Sequence, residues 1–71
     1  MEKVLCNANG VRYLVTVSAD TNKCRVSRLH EHDAIRCSEI WDIVGCGDLA
    51  VLLNHYGING SDRIAADMYP Q

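Results

Sequence analysis

Residues 11–18 read Val-Arg-Tyr-Leu-Val-Thr-Val-Ser, and their alternation constrains the fold more than any other stretch of the chain. A period of two is typical of a half-buried strand, and β-branched and aromatic residues favour a pleated, packed surface. We therefore expect a strand here. One predicted face carries Val11, Tyr13, Val15 and Val17, and the other carries Arg12, Leu14, Thr16 and Ser18.

The dipeptide Asn9-Gly10 stands directly before this strand and predicts a hairpin. Asn-Gly accepts the positive φ angles of a two-residue type I′ turn, whose twist matches that of paired strands. With this dipeptide as the loop, the preceding strand would place Val4 and Cys6 on the core face and Leu5 on the outer face. The preceding strand is predicted at Glu2–Cys6, and its pairs are Val4 with Val15, Leu5 with Leu14, Cys6 with Tyr13 and Ala8 with Val11.

A polar loop and a third strand are predicted on the other side of the alternating stretch. Residues 19–22 can form a four-residue loop, which sets Ser18 opposite Lys23. The strand Lys23–Leu29 then continues the core face. The three strands form an antiparallel meander with the alternating stretch in the middle.

Two or three short helices are predicted in the second half, from apolar residues spaced three and four apart. Gly57 stands where a left-handed residue ends a helix, and Ile58 would then contact Leu53 as in a Schellman motif. The apolar positions are Cys37, Ile40, Trp41 and Val44, then Leu49, Leu52, Leu53 and Tyr56, then Ile64, Ala65 and Met68. The predicted N-caps are Asp33 or Ser38, then Asp48, then Ser61.

The predicted fold class is α+β, a three-stranded antiparallel β-meander with two or three short helices packed on one face. With 71 residues, the chain is expected to form a single domain, residues 1–71, with Trp41 at the centre of the helix–sheet interface. A chain this short buries only about 60% of its unfolded surface. No apolar run approaches the roughly 20 residues needed to cross a bilayer, and the N-terminus turns polar too early for a signal peptide. We therefore expect a cytoplasmic protein.

The four cysteines are predicted to be free thiols that pack as small apolar side chains. Cys6 and Cys24 would lie on the two outer strands of the meander, about 10 Å apart, beyond the roughly 7 Å reach of a disulfide. Cys37 and Cys46 would bracket a predicted helix and also lie far apart.

The segment that contains His30, His32 and Asp33 is the densest polar cluster, and we expect a solvated connection there rather than a metal site. Zinc requires three or four ligands, and no other histidine or cysteine has ligand spacing to this pair. Cys46 lies near a predicted helix start, where a thiolate is favoured, but Asp48 adds negative charge that opposes it. We expect no enzyme activity, no metal and no cofactor.

Charge is distributed unevenly along the chain, whose formal net charge is −2. Residues 1–36 carry six basic and four acidic side chains, whereas residues 37–71 carry one basic and five acidic ones. Two candidate partner-binding surfaces follow from the predicted fold. The outer face of the sheet would present Lys3, Leu5, Arg12, Leu14, Thr16 and Arg25, an apolar pair rimmed by basic residues. The acidic helical face would present Glu39, Asp42, Asp48, Asp62 and Asp67.

These patterns favour a small protein-binding module, an inhibitor or adaptor, and leave open which of the two faces binds. The acidic face could meet a basic protein surface, including one built for nucleic acid. The free sheet edges could pair with a partner strand or form a homodimer. The alternative is a nucleic-acid-binding regulator that uses Arg12, Lys23 and Arg25 or the C-terminal helical hairpin. That alternative requires affinity that falls steeply with salt.

In its small size, slight acidity and lack of a catalytic constellation, the chain resembles the small inhibitors that phages and mobile elements encode, anti-CRISPR proteins among them. The resemblance is one of style and rests on no sequence motif. It implies an inhibitory contact with another protein and assigns no residue a role.

Overall fold

The chain folds as an α+β protein with one antiparallel sheet and two α-helices, so the predicted class is confirmed. In this computed structural model the described residues are 1–69, apart from the side chains of Asp33 and Arg36. The elements are β1 Glu2–Cys6, β2 Arg12–Ser18, β3 Lys23–Leu29, β4 Ile35–Asp42, α1 Gly45–His55 and α2 Ser61–Met68. Each strand pairs with the next along the chain, in the order β1-β2-β3-β4.

The strand β4 takes the place of the first predicted helix, and that prediction is wrong. The apolar spacing of this segment fits a helix, but the segment pairs with β3 along its length. Trp41 lies opposite Cys24 on the side of the helices, while Ile40 lies opposite Arg25 on the other side. Short apolar segments fit either period, so local spacing alone does not distinguish the two structures.

The first hairpin closes with a three-residue loop instead of the predicted two-residue turn. The Asn7 N–H donates to the Val11 carbonyl oxygen at 2.9 Å, and residues 8–10 form the loop between them. Gly10 is left-handed with φ of 82°, but Asn9 has no positive φ, so the type I′ turn is excluded. The Asn7 Oδ1 atom stabilises the longer loop, because it accepts the backbone N–H groups of Asn9 and Val11, both at 2.9 Å.

The longer loop shifts the register of β1 by one residue, which exchanges the two faces of that strand. Leu5 lies opposite Tyr13, and only 7% of Leu5 is exposed. Val4 lies opposite Leu14 and is 53% exposed. The predicted β1–β2 pairs, including Leu5 with Leu14 and Cys6 with Tyr13, are therefore wrong. Leu5 is a core residue and not part of the outer surface.

The second hairpin has the predicted register, with Ser18 opposite Lys23 after a four-residue loop. The next pairing, between β3 and β4, is irregular between Arg28 and Leu29. This bulge brings Ile35 opposite Leu29, so both belong to the face of the sheet that points away from the helices.

One cluster of buried apolar side chains joins the two helices to one face of the sheet. The chain leaves α1 as predicted, with Gly57 at φ of 79°. The Gly57 N–H donates to the Asn54 carbonyl at 3.0 Å and the Ile58 N–H to the Leu53 carbonyl at 3.1 Å, the two bonds of a Schellman motif. The cluster contains Leu5, Val15, Val17, Cys24, Val26, Ile43, Leu49, Leu52, Leu53, Ile58, Ala65 and Met68.

Both helices begin earlier than their predicted N-caps imply. Val44 precedes α1, and Asp48 accepts the Val44 backbone N–H at 2.8 Å from inside the first turn. Ser61 is the first residue of α2, and the cap position is taken by Gly60 in a left-handed conformation. Within residues 1–69, no helix has the length and apolar character needed to cross a membrane.

Candidate interaction surfaces

The helices α1 and α2 cover one face of the sheet, and neither packs on the opposite face, here called the outer sheet face. Side chains alternate between the two faces along each strand, so the pairings assign the members of this face. Its apolar members include Val4, Leu14, Ile35 and Ile40, and its polar members include Arg12, Thr16, Ser18, Lys23 and Arg25.

Three aliphatic side chains on the outer sheet face are more than half exposed. Val4 is 53% exposed, Ile35 is 58% exposed and Ile40 is 61% exposed. In the middle of the face Ser27 is buried, and its hydroxyl hydrogen-bonds the Ser38 hydroxyl at 2.8 Å. Because the serine side chain is short, the surface at Ser27 is recessed relative to the exposed side chains of Val4, Ile35 and Ile40. Such apolar surface on one face is typical of a contact surface.

A groove of about 360 Å³ crosses the same face and is lined by Thr16, Ser18, Lys23, Arg25 and Ile40. Lys23 forms an exposed ion pair with Asp42, which partly neutralises it. Arg25 makes no ion pair with any side chain that the structure describes. The groove therefore presents one uncompensated guanidinium next to an aliphatic wall.

Six residues were predicted to form this face, and the structure brings four of them together. The four are Arg12, Leu14, Thr16 and Arg25. Leu5 is buried in the core, and Lys3 lies opposite Val15, on the side of the helices. Both corrections have one cause, the shifted register of β1.

Sequence reasoning missed Val4, Ile35 and Ile40 on this face. The predicted two-residue turn placed Val4 on the core face, and Ile40 was assigned to the apolar stripe of the first predicted helix. Two signals were available in the sequence: Asn7, whose short side chain can accept backbone N–H groups of a following turn, and the β-branched residues of the β4 segment.

A second concave surface lies between α1 and the end of β4 and has a volume of about 430 Å³. We call it the α1–β4 groove. Val51 is 72% exposed at its rim, whereas Leu52 and Ile43 are buried at its base. The lining residues are Trp41, Asp42, Ile43, Asp48, Val51, Leu52 and His55.

An aromatic cluster fixes Trp41 beside this groove. The Trp41 Nε1–H donates to the Tyr56 hydroxyl at 2.9 Å, and that hydroxyl donates to Glu39 Oε1 at 2.9 Å. The His55 ring lies edge-on to Trp41 with centroids 5.9 Å apart, and the Tyr13 ring lies 5.0 Å from Tyr56. Trp41 is half-buried at the margin of the core rather than at its centre, where the sequence placed it.

The Tyr56 hydroxyl gives this cluster a measurable pH dependence. Burial, and then the hydrogen bond to Glu39, raises the pKa of Tyr56 from 10.0 to about 12. Because the native state favours the neutral phenol, this contribution to stability is complete below pH 10.0 and is lost as the pH rises towards 12. In a spectrophotometric titration we expect a tyrosine ionisation step at a pH of about 12, and Tyr56→Phe to lack that step. A Tyr56→Phe protein that keeps the step would contradict the cluster.

The five predicted acidic residues are all exposed, but they do not form one face around a single site. Asp42 and Asp48 line the α1–β4 groove, and Glu39 bonds Tyr56 next to it. Asp62 and Asp67 lie on α2 and do not line this groove.

The cysteines differ in their surroundings, although none of the four forms a disulfide. Cys24 is buried in the core, and burial raises its pKa to about 11, so the thiol is protonated at neutral pH. Cys6 and Cys37 are exposed and Cys46 is half-buried. The prediction that all four pack as small apolar side chains is therefore wrong for Cys6 and Cys37.

The predicted polar cluster of His30 and His32 lies in the connection between β3 and β4, where both histidines are exposed. The Asp33 side chain of that cluster lies outside the described residues. Among the side chains that the structure describes, no group of three or more His, Cys, Asp and Glu could hold a metal ion.

Comparison with known proteins places the chain in no family. No family model matches it, and neither a curated protein nor a solved structure matches it.

Proposed function

We propose that the protein is a non-catalytic protein-binding module, an inhibitor or adaptor, and that its outer sheet face is the binding surface. The observation that carries this proposal is the exposure of Val4, Ile35 and Ile40 on the face opposite the helices. Apolar surface left in water costs roughly 25 cal/mol per Å², and a partner surface that covers this face would remove that cost.

The polar groups on this face give the partner a chemical character. Arg25 stands opposite Ile40 and lacks an ion pair with the described side chains, so a carboxylate of the partner would compensate its charge. The hydroxyl groups of Thr16 and Ser18 lie in the same groove and supply further hydrogen-bonding atoms. A partner with an apolar centre and an acidic rim fits this arrangement.

Nucleic acid is the second candidate ligand, because Arg12, Lys23 and Arg25 share the outer sheet face. Two contacts weaken that candidate. Lys23 is paired with Asp42, and the Arg12 Nη2 atom donates to the His30 carbonyl at 3.3 Å. Single-stranded binding surfaces also stack bases on aromatic rings, and no described side chain on this face is aromatic.

The two edges of the sheet, β1 and β4, offer a separate contact. Neither edge has a further strand beside it in the described chain, so a partner strand or a second copy could pair there. Homodimer formation through one edge belongs to the same proposal, since it would leave the outer sheet face of each copy free.

Affinity capture from nuclease-treated lysate of the producing cells tests the proposal. We expect the wild-type protein to retain a stoichiometric protein partner, identified by mass spectrometry, and Ile40→Asp and Leu14→Asp to lose it. The new carboxylate at position 40 would lie opposite Arg25, a pair that the sheet tolerates. Ala66→Asp is the matched control, because it adds the same charge at an exposed site on α2.

Equal folding of all variants is verified by their unfolding transitions before capture. Retention of the same partner by all three variants would overturn the outer sheet face as the binding surface. Recovery of nucleic acid alone from untreated lysate, with affinity that falls steeply with salt, would support the second candidate instead.

A further inference from the structure

The α1–β4 groove combines three kinds of group along one short path. On α1, the residues that line it are spaced by three, four and seven positions, so they form one stripe of the helix surface. The stripe begins with the Asp48 carboxylate, continues through the aliphatic Val51 and Leu52, and ends at the His55 ring. The facing wall is the segment that begins with the Trp41 ring.

One carboxylate of the groove retains an acceptor atom that the fold does not use. Asp48 accepts the Val44 N–H through Oδ2, and Oδ1 accepts no hydrogen bond from the described residues. Asp42 also lines the groove, but its carboxylate contacts Lys23, which lies opposite it on the outer sheet face. The Asp48 carboxylate is therefore the negative charge that the groove offers.

The aromatic wall is held in place before any ligand arrives. Trp41 is fixed by its Nε1–H bond to Tyr56, and the His55 ring packs against it edge-on. A tryptophan ring attracts a guanidinium group through its π face, and a carboxylate pairs with the same group through two parallel hydrogen bonds. The exposed Val51 side chain offers apolar surface on which the methylene groups of a long basic side chain can lie.

We propose that the α1–β4 groove binds an arginine side chain of a partner protein. The guanidinium lies between the Trp41 ring and the Asp48 carboxylate, and the methylene groups lie along Val51. The groove is formed by α1 and the end of β4, so this contact is separate from the outer sheet face and does not depend on it. A partner with an exposed arginine on a basic surface meets this requirement.

Trp41 is the only tryptophan in the chain, so its fluorescence reports on this groove alone. The probe is acetyl-arginine amide, compared with the neutral acetyl-citrulline amide and with acetyl-lysine amide. We expect a saturable fluorescence change with the arginine amide, no saturable change with the citrulline amide and weaker binding of the lysine amide.

Asp48→Asn and Asp62→Asn form a matched pair of variants for this titration. The asparagine oxygen at position 48 can still accept the Val44 N–H, so the start of α1 is retained while the charge is lost. We expect Asp48→Asn to bind the arginine amide at least about tenfold more weakly, the loss expected for one charge-assisted hydrogen bond. Asp62→Asn removes an equal charge from α2 and should bind as the wild type does.

Three results would overturn the assignment. They are a wild-type protein that shows no saturable change, an equal response to the citrulline or lysine amide, and equal affinity in Asp48→Asn. None of these results depends on Ile40 or Leu14, so failure here is distinguishable from failure of the outer sheet face as a binding surface.

Discussion

Leu5→Ala should lower the free energy of unfolding by about 2–5 kcal/mol, the range for deleting a buried leucine side chain. Only 7% of Leu5 is exposed, and it belongs to the same core cluster as Val15. Val4→Ala should change the free energy of unfolding by less than about 1 kcal/mol, because Val4 is 53% exposed and leaves no closed cavity. For a chain of 71 residues the first loss is a large share of total stability.

These adjacent substitutions decide the register of β1, because the two possible hairpins exchange the faces of Val4 and Leu5. Both variants shorten an aliphatic residue of the same strand, so each is the control for the other. Chemical denaturation with one folding probe measures both changes. A large loss in Val4→Ala together with a small loss in Leu5→Ala would contradict the three-residue loop.

Asn7→Ala should lower the free energy of unfolding by about 2–3 kcal/mol, because three hydrogen bonds of this half-buried side chain are lost together. Oδ1 accepts the N–H groups of Asn9 and Val11, and Nδ2 donates to the Tyr56 carbonyl at 3.1 Å. The last bond ties the first hairpin to the end of α1, where the Ala8 N–H also donates to a backbone carbonyl.

The Asn7 side chain has two roles, since it accepts backbone N–H groups in the loop and donates to the end of α1. Asn7→Asp and Asn9→Ala separate these two roles. Asn7→Asp keeps an acceptor for the loop but loses the donor to Tyr56 and adds negative charge at the C-terminal end of α1. We expect a loss of about 1–2 kcal/mol for Asn7→Asp and less than about 0.5 kcal/mol for the exposed Asn9→Ala. Thermal and denaturant unfolding measure these changes, and similar losses in Asn7→Ala and Asn9→Ala would show that Asn7 does not organise the hairpin.

Two parts of the fold could be predicted from sequence because several local signals agree there. In β2 the alternation, the β-branched content and the length of the following loop all indicate one register, and the β2–β3 pairs are as expected. At the end of α1, Gly57 and Ile58 follow an apolar helical stripe, and the Schellman bonds form between them and the last turn.

The register of β1 could not be settled locally, because Asn-Gly fits a two-residue loop and glycine also fits the last position of a three-residue loop. The choice depends on Asn7, whose side chain donates a hydrogen bond to the end of α1, 49 residues further along the chain. The helix prediction for the β4 segment was wrong for a different reason. Its apolar spacing fits a helix as well as a strand, so the spacing alone does not distinguish the two.

The candidate surfaces were predictable only in part. Arg12, Leu14, Thr16 and Arg25 share a face because alternation along β2 and β3 is a local property. The α1–β4 groove was not predictable as a site, since Trp41 belongs to a strand that the sequence assigned to a helix. Asp42 and Asp48 were predicted to belong to an acidic helical face. Their position beside Trp41 follows from the topology and could not be predicted.

Calorimetry should measure how tightly the captured partner binds the wild type, Ile40→Asp and Ala66→Asp. The three dissociation constants show whether the outer sheet face is the binding surface. We predict that Ile40→Asp binds at least about tenfold more weakly, a loss of about 1.4 kcal/mol or more, because a charge replaces exposed aliphatic surface within the proposed contact. Ala66→Asp should bind as the wild type does. Equal dissociation constants for all three proteins would contradict the outer sheet face as the binding surface.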